Sequence, residues 1–177
     1  MMVGTAAEPS LLETALHFLS SIESLVAFIE ALCVSISAIY AARLYQHTTK
    51  NARRSAMVQM LLDRSHDERL IDAEKRVRKL YKENHSSLKR FVEDDSDDRA
   101  AILIVLNNLE FLSSGVNMGT FDEDVFKRMQ YSNVMRSWQM TKDFIETLRA
   151  NHGNTTYFQD FECLAMRWKK KPLESVR

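Results

Sequence analysis

The chain is poor in the residues that interrupt helices. Of its 177 residues, four are glycine and two are proline, and both prolines (Pro9 and Pro172) lie near the ends. Nothing in the long middle stretch removes a backbone donor, and Asn-Gly hairpin signals are missing, so helix is the expected state. The two cysteines, Cys33 and Cys163, fit no CxxC or zinc spacing. This argues against a disulfide framework or a structural metal, and for reduced thiols in a cytosol-facing protein. Lys+Arg and Asp+Glu are equal at 24 each. A nucleic-acid partner is therefore not expected, because phosphate binding needs a basic surplus. Met1 to Glu8 lacks Lys and Arg, so no basic region of an ordinary secretory signal precedes the apolar run.

Catalytic patterns are also missing. His17, His47, His66, His85 and His152 form no HExxH or other ligand pairing, and there is no glycine-rich phosphate loop and no GxSxG elbow. The trio Asp122, Glu123 and Asp124 diverges around a helix and reads as helix-start acids. The run Glu93-Asp94-Asp95-Ser96-Asp97-Asp98 fails the EF-hand template. Counting from Asp94, position six is Arg99 where glycine is needed, and position twelve is Val105 where glutamate is needed. It reads as a loop that caps the following helix. No catalytic residue, cofactor or metal site is assigned, and the expected protein is not an enzyme.

What the chain does have is a long apolar helix. From Leu11 to Ala42 there is no Gly, Pro, Lys or Arg, and the densest part, Ser24 to Ala42, is 19 residues. As a helix that part spans about 28 Å, close to the hydrocarbon thickness of a bilayer. Glu30 opposes insertion by about 2.5–3.5 kcal/mol at the centre of a bilayer. Leu25, Val26, Phe28, Ile29, Leu32, Val34, Ile36 and Ile39 favour it by about 0.3–0.6 kcal/mol each. The flanks tip the balance. Glu8, Glu13 and Glu23 precede the centre, while Arg43, Lys50, Arg53 and Arg54 follow it, which places the C-terminal part in the cytoplasm by the positive-inside rule.

The same segment has a heptad seam through Leu12, Ala15, Leu19, Ile22, Val26, Ile29, Cys33, Ile36 and Tyr40, widened by Leu11, Phe18, Leu25, Leu32 and Ile39. Glu23, Glu30 and Ser37 form a polar row on that repeat and are the candidate helix–helix interface. Two readings compete: a membrane helix that associates with a second copy, and a soluble coiled coil.

The remainder reads as an all-α domain. Residues 1–10 form a flexible N-terminus, 11–42 the transmembrane helix, 43–63 a juxtamembrane stalk, 64–171 a cytoplasmic helical bundle and 172–177 a tail. The stalk buries Ala56, Met57, Met60 and Leu61. Ser65 with Glu68 makes a capping box that starts a charged helix burying Leu70, Ile71, Val77, Leu80 and Tyr81. The alternating charges of that helix make a solvated face.

Arg99 to Val116 is the central core helix, in which Asn107, Asn108 and Glu110 form a polar patch facing the core or a partner. Gly115 and Gly119 bracket a turn, followed by a short helix through Gln130. Ser132 caps another helix that ends at Asn151-His152-Gly153. Asn154 caps the last helix, whose basic end, Arg167 to Lys171, complements the helix terminus or touches anionic lipid.

ARRSAMVQMLLD, the charged helix, LNNLEFLSSGVNMGTFDEDVF, the Trp138 helix and FQDFECLAMRW form a familiar set. From about Ala42 to Trp168 the chain resembles the bacterial domain-of-unknown-function family 4760. Leu106 to Phe126, with Glu110, Gly115, Gly119 and Phe121-Asp122-Glu123, is the most characteristic stretch. The resemblance implies a bacterial or phage-associated protein, commonly membrane-anchored, and supplies no catalytic residues.

The expected function is a non-enzymatic, membrane-associated interaction or scaffolding module of the bacterial inner membrane. Its partners are membrane lipid, a second copy through the N-terminal helix and an unidentified protein. The alternatives are an oligomeric membrane effector that alters permeability and a soluble, cytoplasmic coiled-coil adaptor.

Overall fold

The computed structural model describes residues 11–84 and 87–174, with side chains from Ile22 onward. The N-terminus 1–10, the last three residues of the 172–177 tail, His85 and the side chains of Leu12, Ala15, His17 and Leu19 lie outside the described residues. The chain is all-α, as its composition implies: α1 (Leu11–Ser65), α2 (Glu68–Glu83), α3 (Asp97–Asn117), α4 (Glu123–His152) and α5 (Gln159–Lys170), with a short 3-10 turn at Lys89–Phe91. The contacts divide it into a unit ending at Thr49 and a second from Lys50 to Arg177.

In the first unit, residues 22–48 are all exposed. Phe28 is 67% exposed and Val34 68%. Hydroxyls along α1 turn back onto the helix. Ser35 Oγ donates to the Ala31 carbonyl and Ser37 Oγ to the Cys33 carbonyl, both at 2.8 Å, and Thr48 Oγ1 donates to the Leu44 carbonyl at 2.7 Å. Such bonds satisfy a hydroxyl without water.

The second unit is a bundle around α3. Ile102, Val105, Leu106, Leu109 and Leu112 are buried, and α3 packs against α2, α4 and α5. The segment 43–63 is split between the units. Met57 and Leu61 join the bundle core, Met60 is half-buried, and Ala56 is exposed, contrary to the expected buried side. Aromatic rings pack into the same core. Trp168 packs against Phe126 and Tyr131 at centroid distances of 5.3 and 5.9 Å, and Trp138 meets Phe161 edge-on at 5.6 Å.

Several local expectations are corrected. Asp67, rather than Ser65, caps α2: its carboxylate accepts the Leu70 N–H at 3.0 Å, while Ser65 Oγ donates back to the Leu62 carbonyl. Ser65 therefore still belongs to α1, and the nearer acid takes the cap. On α2, Ile71 and Tyr81 are half-buried, whereas Leu70, Val77 and Leu80 are buried as expected. Ser132 caps nothing. The expected short helix and its successor are one 30-residue helix, α4, because Gln130-Tyr131-Ser132-Asn133 contains no strong helix breaker and Val134 is needed in the core. Asn154 makes a turn by accepting from the Thr156 N–H at 2.9 Å, and α5 begins only at Gln159. Other local readings hold. Ser96 caps α3, with Asp97 and Asp98 in its first turn, and Gly153 ends α4 with φ 62°.

Candidate functional site

The first candidate surface is the apolar part of α1. Placed on 3.6 residues per turn, Leu25, Ile29, Leu32, Ile36 and Ile39 share one face. Glu23, Ala27, Glu30, Ala31, Val34, Ser37 and Ala38 share the other. The predicted row of Glu23, Glu30 and Ser37 is thus on one side of the helix, and all three residues are exposed. Cys33 is exposed as well.

The second candidate, Asn107, Asn108 and Glu110, is not a single patch. Asn107 is exposed on α3. Asn108 Oδ1 is buried and, like the buried Ser113 Oγ, lacks a hydrogen-bond partner among the described residues. Glu110 reaches a different element. Its two carboxylate oxygens accept the N–H groups of Asp160 (3.1 Å) and Phe161 (2.8 Å), supplying the start of α5 with the cap that its own sequence omits. Phe158, which precedes α5, is in the left-handed region (φ 56°) and offers no side-chain cap.

Around the α3–α4 corner the signature residues interlock. Asp122 caps α4 by accepting the Val125 N–H at 3.0 Å, and its other oxygen accepts Arg54 Nε of α1 at 3.1 Å. Burial alone would raise the Asp122 pKa. The Val125 hydrogen bond and the Arg54 guanidinium outweigh it and hold the carboxyl below its ordinary value of 3.8. Glu123 Oε1 accepts from Trp168 Nε1 at 2.8 Å and from Arg167 Nε at 2.9 Å. Asn117 completes the ring, donating to Asp160 Oδ1 at 2.7 Å and accepting from Arg167 Nη2 at 2.9 Å. Arg167 is therefore held at the bundle surface by Glu123 and Asn117, whereas Lys169 to Lys171 are exposed. Asp122 and Glu123 are visible in the sequence as a motif, but their partners Arg54, Arg167 and Trp168 lie far away in the chain.

These carboxylates are occupied by capping and ion pairing, which is a structural role. No group of three or more His, Cys, Asp or Glu side chains suited to a metal occurs among the described residues. Two helices, Ile22–Ser65 within α1 and Asp97–Asn117, are long and apolar enough to cross a membrane. The second is the core helix α3, 44% of whose apolar window is buried against its neighbours.

The class defined by these features is an all-α protein with a long, exposed apolar helix ahead of a small helical bundle. The chain belongs to the family described as Domain of unknown function (DUF4760), whose model matches residues 28–168. The match starts inside the apolar segment, earlier than Ala42, and ends at Trp168, so it includes Glu30 and the whole α3–α4 corner. No curated protein and no solved structure matches the chain.

Proposed function

We propose that this protein is a non-enzymatic, membrane-associated interaction module, tethered through the apolar part of α1 with its bundle in the cytoplasm of a bacterium. The supporting observation is the uninterrupted exposure of residues 22–48, whose sequence is mostly apolar. A soluble monomer rarely leaves so large an apolar surface in water. Fully burying one Leu, Ile, Val or Phe side chain contributes about 1.5–3 kcal/mol, so several of them outweigh the cost of Glu30. Ser35, Ser37 and Thr48 bond to their own helix, which suits lipid, and Arg43, Lys50, Arg53 and Arg54 fit a cytoplasmic flank. Alkaline carbonate extraction tests the reading. The full chain stays in the membrane pellet, and its recovery in the soluble fraction would refute the tether.

The division of α1 into two faces favours a second reading, an oligomer that alters membrane permeability. Small residues allow close helix approach, and the glutamates then face a partner helix instead of lipid. Overexpression then depolarises the membrane, and Glu30→Leu relieves the effect. Depolarisation undiminished in that variant would count against it.

A further inference from the structure

We propose that the bundle carries a binding site for a phosphate group, in a cleft of about 600 Å³ lined by Arg54, Lys127, Arg128 and Lys171 together with Asp124 and Glu174. The cleft lies wholly within the unit from Lys50 to Arg177, and the proposal stands whether or not α1 enters a membrane.

In a chain with no net charge, this concave surface gathers four cations against two carboxylates. A cleft lined mostly by one sign focuses its field and concentrates counter-ions. Asp122 already pairs Arg54, so the net excess is one positive charge, which still favours a phosphate anion. The volume is within the range of about 300–1,000 Å³ usual for small-molecule sites.

The cations are held by bonds that leave donors to spare. Arg54 gives its Nε to Asp122, which fixes the guanidinium, and its remaining N–H groups are not otherwise engaged among the described residues. Lys127 donates one N–H to the Lys171 carbonyl at 2.6 Å, tying the segment after α5 to the start of α4. That bond holds the Lys127 and Lys171 walls of the cleft together. Arg128 is exposed beside them. Two guanidinium groups and two ammonium groups are the usual partners of phosphate oxygens. Pro172 and Leu173 add an apolar border, so the ligand carries a small apolar or neutral group next to its phosphate.

Isothermal titration of the full chain in neutral detergent tests this site. The titrants are inorganic phosphate, dihexanoyl phosphatidic acid and, as a control, dihexanoyl phosphatidylcholine. Saturable binding of phosphate or phosphatidic acid is expected, weakening as salt is added. Reversing two cations with Arg128→Glu and Lys171→Glu weakens it by at least about tenfold without lowering the unfolding midpoint. Reversing two exposed cations elsewhere, with Lys82→Glu and Lys142→Glu, changes the net charge equally and leaves binding intact. Binding of inorganic phosphate identifies a soluble ligand, and binding of phosphatidic acid alone identifies a lipid headgroup. No saturable binding in either arm, or equal loss in both double variants, overturns the site.

Discussion

The ring of Phe121 lies over Gly115 and fills the space that a β-carbon on Gly115 would need. Gly115 is inside the last turn of α3, and its carbonyl accepts the N–H groups of Thr120 (2.8 Å) and Phe121 (3.0 Å). Gly119, with φ 72°, reverses the chain between them. The two glycines thus do different things: one gives room and the other gives the turn.

Gly115→Ala forces the ring of Phe121 aside and costs about 1–3 kcal/mol, as other overpacked sites do. Adding Phe121→Ala to that variant removes the clash. The double variant should then be less destabilised than the sum of the two single changes, as read from urea unfolding midpoints. Simple additivity would show that the ring does not constrain the glycine.

Glu110→Ala removes the acceptor for two backbone N–H groups at the start of α5 and should cost about 1–2 kcal/mol, the usual range for a lost cap. Hydrogen exchange gives the sharper readout. The amides of Asp160 and Phe161 should lose protection first, while those of α2 stay protected.

Glu123→Ala leaves the buried indole N–H of Trp168 without its acceptor and frees Arg167, for a cost of about 1–3 kcal/mol. Glu123→Gln keeps a carbonyl acceptor for the indole and should recover part of that loss. Tryptophan fluorescence together with thermal unfolding separates the two variants.

Asp122 gives stability a dependence on acid. Its folded pKa is lower than the ordinary 3.8, so the unfolded chain takes up the proton first. The contribution is complete above about pH 3.8 and is lost as pH falls through the lower folded value. Asp122→Asn removes this part of the acid sensitivity and also weakens the bond to Arg54. An acid titration of unfolding free energy in both proteins should show a shallower fall for the variant.

The fold was largely legible in the sequence, because sparse Gly and Pro together with apolar periodicity leave few alternatives to helix. The ends of the helices were less so. Ser65 and Ser132 look like caps, yet Asp67 takes one role and the other does not exist, because a serine inside a helix gives no sign that the chain continues. The cap of α5 could not be read locally at all. Glu110 is about fifty residues away in the chain, and only tertiary packing brings it to Asp160 and Phe161. Glu123 presented itself as one of three helix-start acids, and nothing in that pattern reveals Trp168 and Arg167 as its partners. The row of Glu23, Glu30 and Ser37 was visible from spacing alone, because a single helix sets it.

The dependence of α5 on Glu110 also sets an order of events. A 12-residue helix is too short to persist by itself in water, and this one lacks a cap of its own. It therefore forms on a surface that α3 and α4 have already made. On the ribosome, those helices emerge while the places of Phe161 and Trp168 are still vacant. Until residues 159–170 are available, the apolar surface that Phe161 and Trp168 cover stays open to water.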